Sequence, residues 1–152
     1  MSFAHLHLHS GYSFLDGAIR MDRLCQVVQQ RGMNAVAVTD HGNMMAAFQF
    51  VRACNKEGIK PIVGAELNVC RDMNDKSVKD DGYPTVFLAK NKKGYHNLTK
   101  LASKAYTDGF YYVPRIDRNL VEEYKEDLIV LTGGLFGEVP SLILNVGEAQ
   151  AE

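Results

Sequence analysis

Histidines and carboxylates with spacings suited to metal binding lie in the first 66 residues of the chain. His7 and His9 are two positions apart, so in an extended segment both imidazoles lie on one face and can reach the same ion. Asp40 and His41 follow one short apolar run, and Glu66 interrupts another. Because a carboxylate in an apolar strand is costly unless it is paired or bound to metal, Glu66 strengthens this interpretation. Mixed nitrogen and oxygen ligands suit zinc or manganese.

Each of these residues also has a structural explanation. A histidine on a strand is more often hydrogen-bonded than metal-bound. Asp16 stands in an Asp-Gly pair, which is a turn signal. Asp40 can cap a helix, and Glu66 can pair with Lys60 or an arginine. Imidazoles and carboxylates nevertheless recur at matching ends of three consecutive predicted strands. That recurrence favours a metal site, in which shared carboxylates can hold two or three neighbouring ions.

The elements that must position these residues are strands alternating with helices. Period-2 alternation predicts a first strand at 3–9, with His5, His7 and His9 on one face. Apolar runs predict further strands at 35–39, 61–69, 85–89 and 128–131. Helical periodicity, with Asn43 as one cap and glycines as stops, predicts helices at 21–31, 43–57, 94–105, 118–124 and 137–144.

This alternation predicts an α/β fold in which parallel strands are joined by crossover helices. Both faces of a parallel sheet must be covered, so we expect a barrel or an open α/β sheet. Functional residues in such folds gather at the C-terminal ends of the strands. The polar stretch 71–82 is predicted to be an exposed loop.

Composition limits the other functional classes. The 152 residues suit one domain, and 46% hydrophobic against 23% charged residues is typical of a chain with a packed core. A net charge of −1 gives no general electrostatic basis for nucleic-acid or membrane binding. Three cysteines without a C-x-x-C pair predict neither disulfides nor a thiolate zinc site. No signal-peptide pattern or membrane-length apolar run is visible, so we expect a cytoplasmic protein.

Several stretches resemble one known family, the polymerase and histidinol phosphatase (PHP) domain. They are HLHLHS at 5–10, YSFLDG at 12–17, TDHGN at 39–43 and KPIVGAE at 60–66. Others resemble the branch of that family found in bacterial replicative DNA polymerase alpha subunits. They are KGYHNL at 93–98, LASKAY at 101–106, PRID at 114–117 and LTGG at 131–134. The resemblance runs in order through nearly the whole chain.

The resemblance implies a fold and a ligand set. The fold is an incomplete, distorted (β/α) barrel of mainly parallel strands with outer helices, and residues 1–152 are expected to be the N-terminal, truncated part of a single PHP domain. Asp40 is expected to orient an imidazole, whereas His5 is not a ligand. Pro84 stands where metal-binding relatives usually have a histidine. A partial site for zinc or manganese, up to three ions in the family, is therefore implied, with the metal ligands His7, His9, Asp16, His41 and Glu66.

For function, the resemblance implies a structural segment of a DNA-directed DNA polymerase subunit. Nucleotidyl-transfer residues lie far downstream in such proteins, so this chain is expected not to polymerise and at most to be a metal-dependent phosphoesterase. A 3′–5′ exonuclease module and a stand-alone phosphatase are the alternatives. Implied partners are the rest of the alpha subunit, a proofreading exonuclease subunit and DNA. A truncated barrel has an open sheet edge, so we also expect marginal stability or self-association.

Overall fold

The computed structural model describes residues 3–151 and has an α/β architecture. In this part of the chain the strands are β1 (Ala35–Val38), β2 (Lys60–Cys70), β3 (Tyr83–Ala89), β4 (Arg115–Asp117) and β5 (Leu128–Leu131). The α-helices are α1 (Met21–Gln30), α2 (Ala47–Lys56), α3 (Lys92–Thr107), α4 (Arg118–Tyr124) and α5 (Glu138–Asn145). The predicted fold class is confirmed.

Strand β2 organises the sheet because it pairs with three other strands. Its first half runs parallel to β1, its last residues run parallel to β4, and its other edge pairs with antiparallel β3. Strand β3 in turn pairs with antiparallel β5. The sheet is therefore mixed. Strand β3 turns back because 71–82 is a loop, as predicted, and contains no helix to carry a parallel crossover.

The predicted strand at 3–9 is wrong as a regular strand, although this segment does lie beside β1. The backbone N–H of Ala37 donates to the carbonyl of His5 at 2.8 Å, and that of Thr39 donates to Leu8 at 2.9 Å. These acceptors are three residues apart while the donors are two apart. One extra residue on the first segment interrupts the ladder, as in a β-bulge.

The helices follow the predicted periodicity closely, with one exception. Helix α2 begins at Ala47 and not at Asn43. The side chain of Asn43 instead donates to the carbonyl of Tyr12 and accepts from the N–H of Met45, so it joins two loops. Across residues 3–151, no helix combines the length and the apolar content needed to cross a membrane.

A small cluster of Ala37, Val86 and Leu88 lies on one face of the sheet, and the two large clusters of the core lie on the other face, which the helices cover. One cluster packs α1 and α2 against β1, and it includes the free thiols of Cys25 and Cys54, whose Sγ atoms are 3.5 Å apart. The other packs α3 and α4 against β2 and β4. Both cysteines are buried inside helices and pack as small hydrophobic residues.

Candidate metal centre

The pairing of β1 with β2 continues beyond the end of β1 and brings His41 beside Glu66. The N–H of Glu66 donates to the carbonyl of Asp40 at 3.0 Å, and the N–H of Gly42 donates to the carbonyl of Glu66 at 2.8 Å. Gly42 has a φ of +70°, a conformation that glycine adopts without strain, and the chain leaves the sheet there. His41 and Glu66 are therefore register partners.

The imidazoles of His7 and His9 converge on the carboxylate of Glu66. Oε2 of Glu66 lies 2.6 Å from Nε2 of His7 and 3.6 Å from Nε2 of His9. The two Nε2 atoms are 3.3 Å apart. One ligand atom from each residue lies within 4.8 Å of the others, so the three can hold a single ion. Two imidazole nitrogens and one carboxylate oxygen are a donor set that fits zinc or manganese.

His41 lies on the other side of the same carboxylate. Its Nδ1 atom is 3.9 Å from Oε1 of Glu66, whereas His7 and His9 approach Oε2. The imidazole rings of His41 and His9 are stacked at 6.3 Å between centroids. Glu66 thus presents one oxygen to each side, which is how a carboxylate can serve two neighbouring ions.

Asp16 is positioned to orient His9. Its Oδ2 atom lies 2.6 Å from Nδ1 of His9, which leaves Nε2 of that ring facing Glu66. Carboxylates that hold the second nitrogen of a metal-binding imidazole fix the ring and raise its basicity. A direct ligand role for Asp16 stays a prediction, because its carboxylate is on the far side of the His9 ring.

Asp40 makes no hydrogen bond or ion pair with an imidazole within the described residues. This buried carboxylate accepts hydrogen bonds from the backbone N–H of Ser10 at 2.6 Å, from its hydroxyl at 2.7 Å, and from the hydroxyl of Ser13 at 2.7 Å. The Ser13 hydroxyl oxygen in turn accepts from the N–H of His41. Asp40 therefore fixes the loop after His9 to the backbone of His41, and it is Asp16 that holds a ring.

Ser10 and Ser13 are the site residues that the sequence analysis missed. Both are buried, and their hydroxyls satisfy the Asp40 carboxylate. One signal in the sequence could have indicated them: an aspartate that directly follows an apolar strand is expected to be buried, and a buried carboxylate needs hydrogen-bond donors nearby. Serines in a loop are too common for spacing alone to identify them as those donors.

The two remaining sequence expectations concern His5 and Pro84. His5 packs edge-on against Phe3 at 4.8 Å between ring centroids and is not in the three-residue cluster. Pro84 is inside β3 and pairs with Asn68, two positions along from the pairing of Val86 with Glu66. A proline offers no ligand atom at this position, so the cluster is built from the other elements.

The clustered imidazoles open into a pocket of about 480 Å³. It is lined by His5, His7, Leu8, His9, Asp16, Gly17, Ala18 and Ile19. A slightly larger pocket of about 510 Å³ lies between α2 and the start of α3, and its lining is mostly apolar and contains no histidine. Size alone therefore does not identify the chemical centre. The convergence of imidazole and carboxylate atoms makes the pocket beside His7 and His9 the candidate site.

Comparison with known proteins identifies the family. The PHP domain family matches residues 5–152. This chain belongs to the PHP domain family. It is 45% identical over 156 aligned positions to the DNA polymerase III subunit alpha of Treponema pallidum, which covers 100% of this chain and 13% of that one. Identity to the Helicobacter pylori (strain 26695) subunit is 46% over 140 positions, or 91% of this chain and 12% of that one.

The PHP chain is thus about an eighth as long as the curated relatives that it matches. Among solved structures, an amidohydrolase from Chromobacterium violaceum overlaps with 66% of this chain and 34% of that one. The TM-score is 0.46 and the identity is 21%. The overlap is partial and says nothing about the substrate of this PHP domain.

Proposed function

We propose that this chain serves as the N-terminal PHP segment of a replicative DNA polymerase III alpha subunit, where it is a structural piece that carries a partial metal site. The supporting observation is that identity to such subunits extends over the entire chain while covering 13% of the relative. Nucleotidyl transfer then belongs to the rest of the subunit. The partners are that remainder, DNA and a proofreading exonuclease subunit, and the location is the cytoplasm.

Within this role, His7, His9 and Glu66 form the primary metal-binding set. Their donor atoms converge without any backbone rearrangement, and Asp16 holds the His9 ring in the required orientation. His41 supplies a second approach to Glu66. Zinc or manganese is the metal that this nitrogen and oxygen donor set suits best. The proposed metal site is partial because Pro84 stands at a position where metal-binding members of the family usually have a histidine.

Metal quantitation tests the site. Purified protein is dialysed against Zn²⁺ or Mn²⁺, and bound metal per chain is measured together with the affinity by isothermal titration. We expect His9→Ala and Glu66→Gln each to weaken binding by at least about tenfold, the range seen when metal-site partners are removed. His96→Ala is the matched control, because His96 is exposed on α3 and outside the cluster. No binding by the unaltered chain would overturn the proposed site.

Metal-dependent phosphoester hydrolysis is the second candidate function. The observation that favours it is the arrangement of imidazoles on both sides of the buried Glu66 carboxylate, beside an open pocket. A bound ion there supplies Lewis-acid polarisation of a phosphoryl oxygen and a lowered pKa for bound water. The protein's own contribution is to fix the His9 ring through Asp16 and the His41 backbone through Ser13.

Turnover of a model phosphodiester in Mn²⁺ separates the two candidates. Turnover that His9→Ala abolishes and His96→Ala leaves unchanged supports a catalytic centre. Metal binding without turnover supports the structural role. The assay requires the metal stoichiometry of each variant to be measured in the same preparation, so that loss of metal is distinguished from loss of chemistry.

A further inference from the structure

Two free thiols on different helices lie against each other in the core. Cys25 is on α1 and Cys54 is on α2, and their Sγ atoms are 3.5 Å apart, so one thiol donates a weak hydrogen bond to the other. Both side chains are buried. The third cysteine, Cys70 at the end of β2, is also buried but has no thiol partner among residues 3–151. The described part of the chain therefore contains one pair of adjacent thiols and one isolated thiol.

The thiol pair lies at the contact that holds α1 in place. Among the helices and strands of residues 3–151, α1 has its most extensive contact with α2. The segment that leads into α1 is the loop that carries Asp16, whose carboxylate contacts His9. Separation of α1 from α2 would therefore loosen this loop at its C-terminal side. A covalent bond between Cys25 and Cys54 would oppose that separation, because it joins the two helices directly.

Burial protects both thiols from oxidation while the helices stay packed. Removal from water, together with the neighbouring Cys25 thiol, raises the pKa of Cys54 to about 12. Because the thiolate is the form that attacks peroxides and disulfides, the packed pair reacts slowly. Local opening of α1 from α2 returns both thiols to water, where a cysteine has its ordinary pKa of about 8.5. Oxidation of the pair is therefore coupled to the opening of this helix contact.

We propose that Cys25 and Cys54 form a redox-sensitive staple, which becomes a disulfide when a peroxide reaches the opened pair and then locks α1 onto α2. In a reducing compartment the pair stays as two thiols, so the staple forms only under oxidising conditions. Since the two sulfurs are already in contact when the helices are packed, the bond requires only small side-chain adjustments. The staple acts without the candidate metal centre, because neither thiol belongs to the cluster of His7, His9 and Glu66.

The oxidation proceeds in two steps. One thiolate sulfur attacks hydrogen peroxide and breaks its O–O bond, which gives a sulfenic acid and a hydroxide ion that recovers the thiol proton as water. The second thiol sulfur then attacks the sulfenic sulfur and forms the S–S bond. The sulfenic oxygen leaves as a second water, with the proton of the second thiol. The two sulfurs thus lose two electrons, which reduce the peroxide.

Controlled oxidation of the chain tests the staple. Dilute protein is treated with hydrogen peroxide, and the remaining thiols are alkylated in denaturant before intact-mass measurement and peptide mapping. We expect a mass loss of about 2 Da before alkylation, that of two hydrogens, with a cross-link between Cys25 and Cys54 and a free Cys70. The midpoint of thermal unfolding should rise by about 5–15 °C, because the cross-link restricts the unfolded chain. Dithiothreitol should reverse both changes.

Three variants and one exchange measurement complete the test. Cys70→Ala is the matched control, because it keeps the pair and should gain stability on oxidation as the unaltered chain does. Cys25→Ala and Cys54→Ala each remove one sulfur and should gain none. Hydrogen exchange of the α1 amides should slow by at least about tenfold in the oxidised unaltered chain, a comparison that needs no variant. Sulfinic acids in place of the cross-link, a cross-link through Cys70 or between chains, or an unchanged midpoint would overturn the staple.

Discussion

The two ends of this PHP chain are built in opposite ways. Around the candidate metal centre, the buried carboxylate of Asp40 accepts three hydrogen bonds and that of Glu66 lies against imidazoles, and the chain that precedes α1 is held against β1. At the other end, Ile129 and Val130 on β5 are half-exposed, and α5 has no buried residue. The comparison teaches that polar networks fix the first end, while the second end is an apolar surface without a cover among residues 3–151.

The largest expected effect is at Asp40. Asp40→Ala removes a charged acceptor from three buried donors, and we expect the free energy of unfolding to fall by about 3–5 kcal/mol. Urea unfolding followed by circular dichroism measures it. Glu138→Ala, which breaks the exposed ion pair with Arg118 at the α5 end, should cost about 0.5 kcal/mol or less. Similar losses in both variants would remove the contrast between the two ends.

Metal should stabilise the chain by binding at the first end only. At a free Mn²⁺ or Zn²⁺ concentration about 100 times the dissociation constant, linkage predicts about 2.7 kcal/mol of added stability. His9→Ala should lose this gain, and a chelator should reverse it in the unaltered chain. Thermal unfolding with and without metal measures the effect. A gain that His9→Ala retains would assign the metal to another site.

The uncovered end should associate through the edge of β5. We expect sedimentation of the unaltered chain to show concentration-dependent self-association, and Val130→Lys to weaken it by about tenfold, because a lysine on an edge strand opposes pairing with another strand. Val78→Lys, in the exposed loop 71–82, is the matched control. A monomeric profile for the unaltered chain at high concentration would contradict this prediction.

The smallest effect compares two exposed leucines, one at each end. Leu15 has a positive φ, so Leu15→Gly should raise the free energy of unfolding by about 0.5–1 kcal/mol. Leu135, near α5, is also exposed but is not among the residues with positive φ. Leu135→Gly should therefore lower stability slightly, by about 0.5 kcal/mol, because glycine has more freedom to lose on folding. Chemical unfolding of both variants measures whether the free energy of unfolding rises or falls in each.

Local pattern was sufficient to predict most elements of the fold. Helix α4 and strand β5 have the predicted limits, and α1 ends at the predicted glycine stop. The spacing of apolar side chains predicts the type of each element because this spacing repeats about every 3.6 residues in a helix and every two residues in a strand. The same pattern could not predict the direction of β3, because a buried apolar strand has the same sequence pattern in a parallel pair as in an antiparallel pair.

The candidate site was likewise predictable from the sequence only in part. Residue types and spacing indicated the His7 and His9 pair, and the cost of burying Glu66 in an apolar strand indicated its role. Only the tertiary structure joined them, because the 25-residue register offset between β1 and β2 sets His41 beside Glu66.

The sequence by itself determined which side chains could bind a metal and which segments would form the sheet and its covering helices. Tertiary structure decided that Asp40 binds Ser10 and Ser13, that Asp16 holds His9, and that Leu15 adopts a positive φ in the loop before Asp16. The physical reason is that hydrogen-bond partners and backbone strain depend on which distant segments meet, and local periodicity does not encode those contacts.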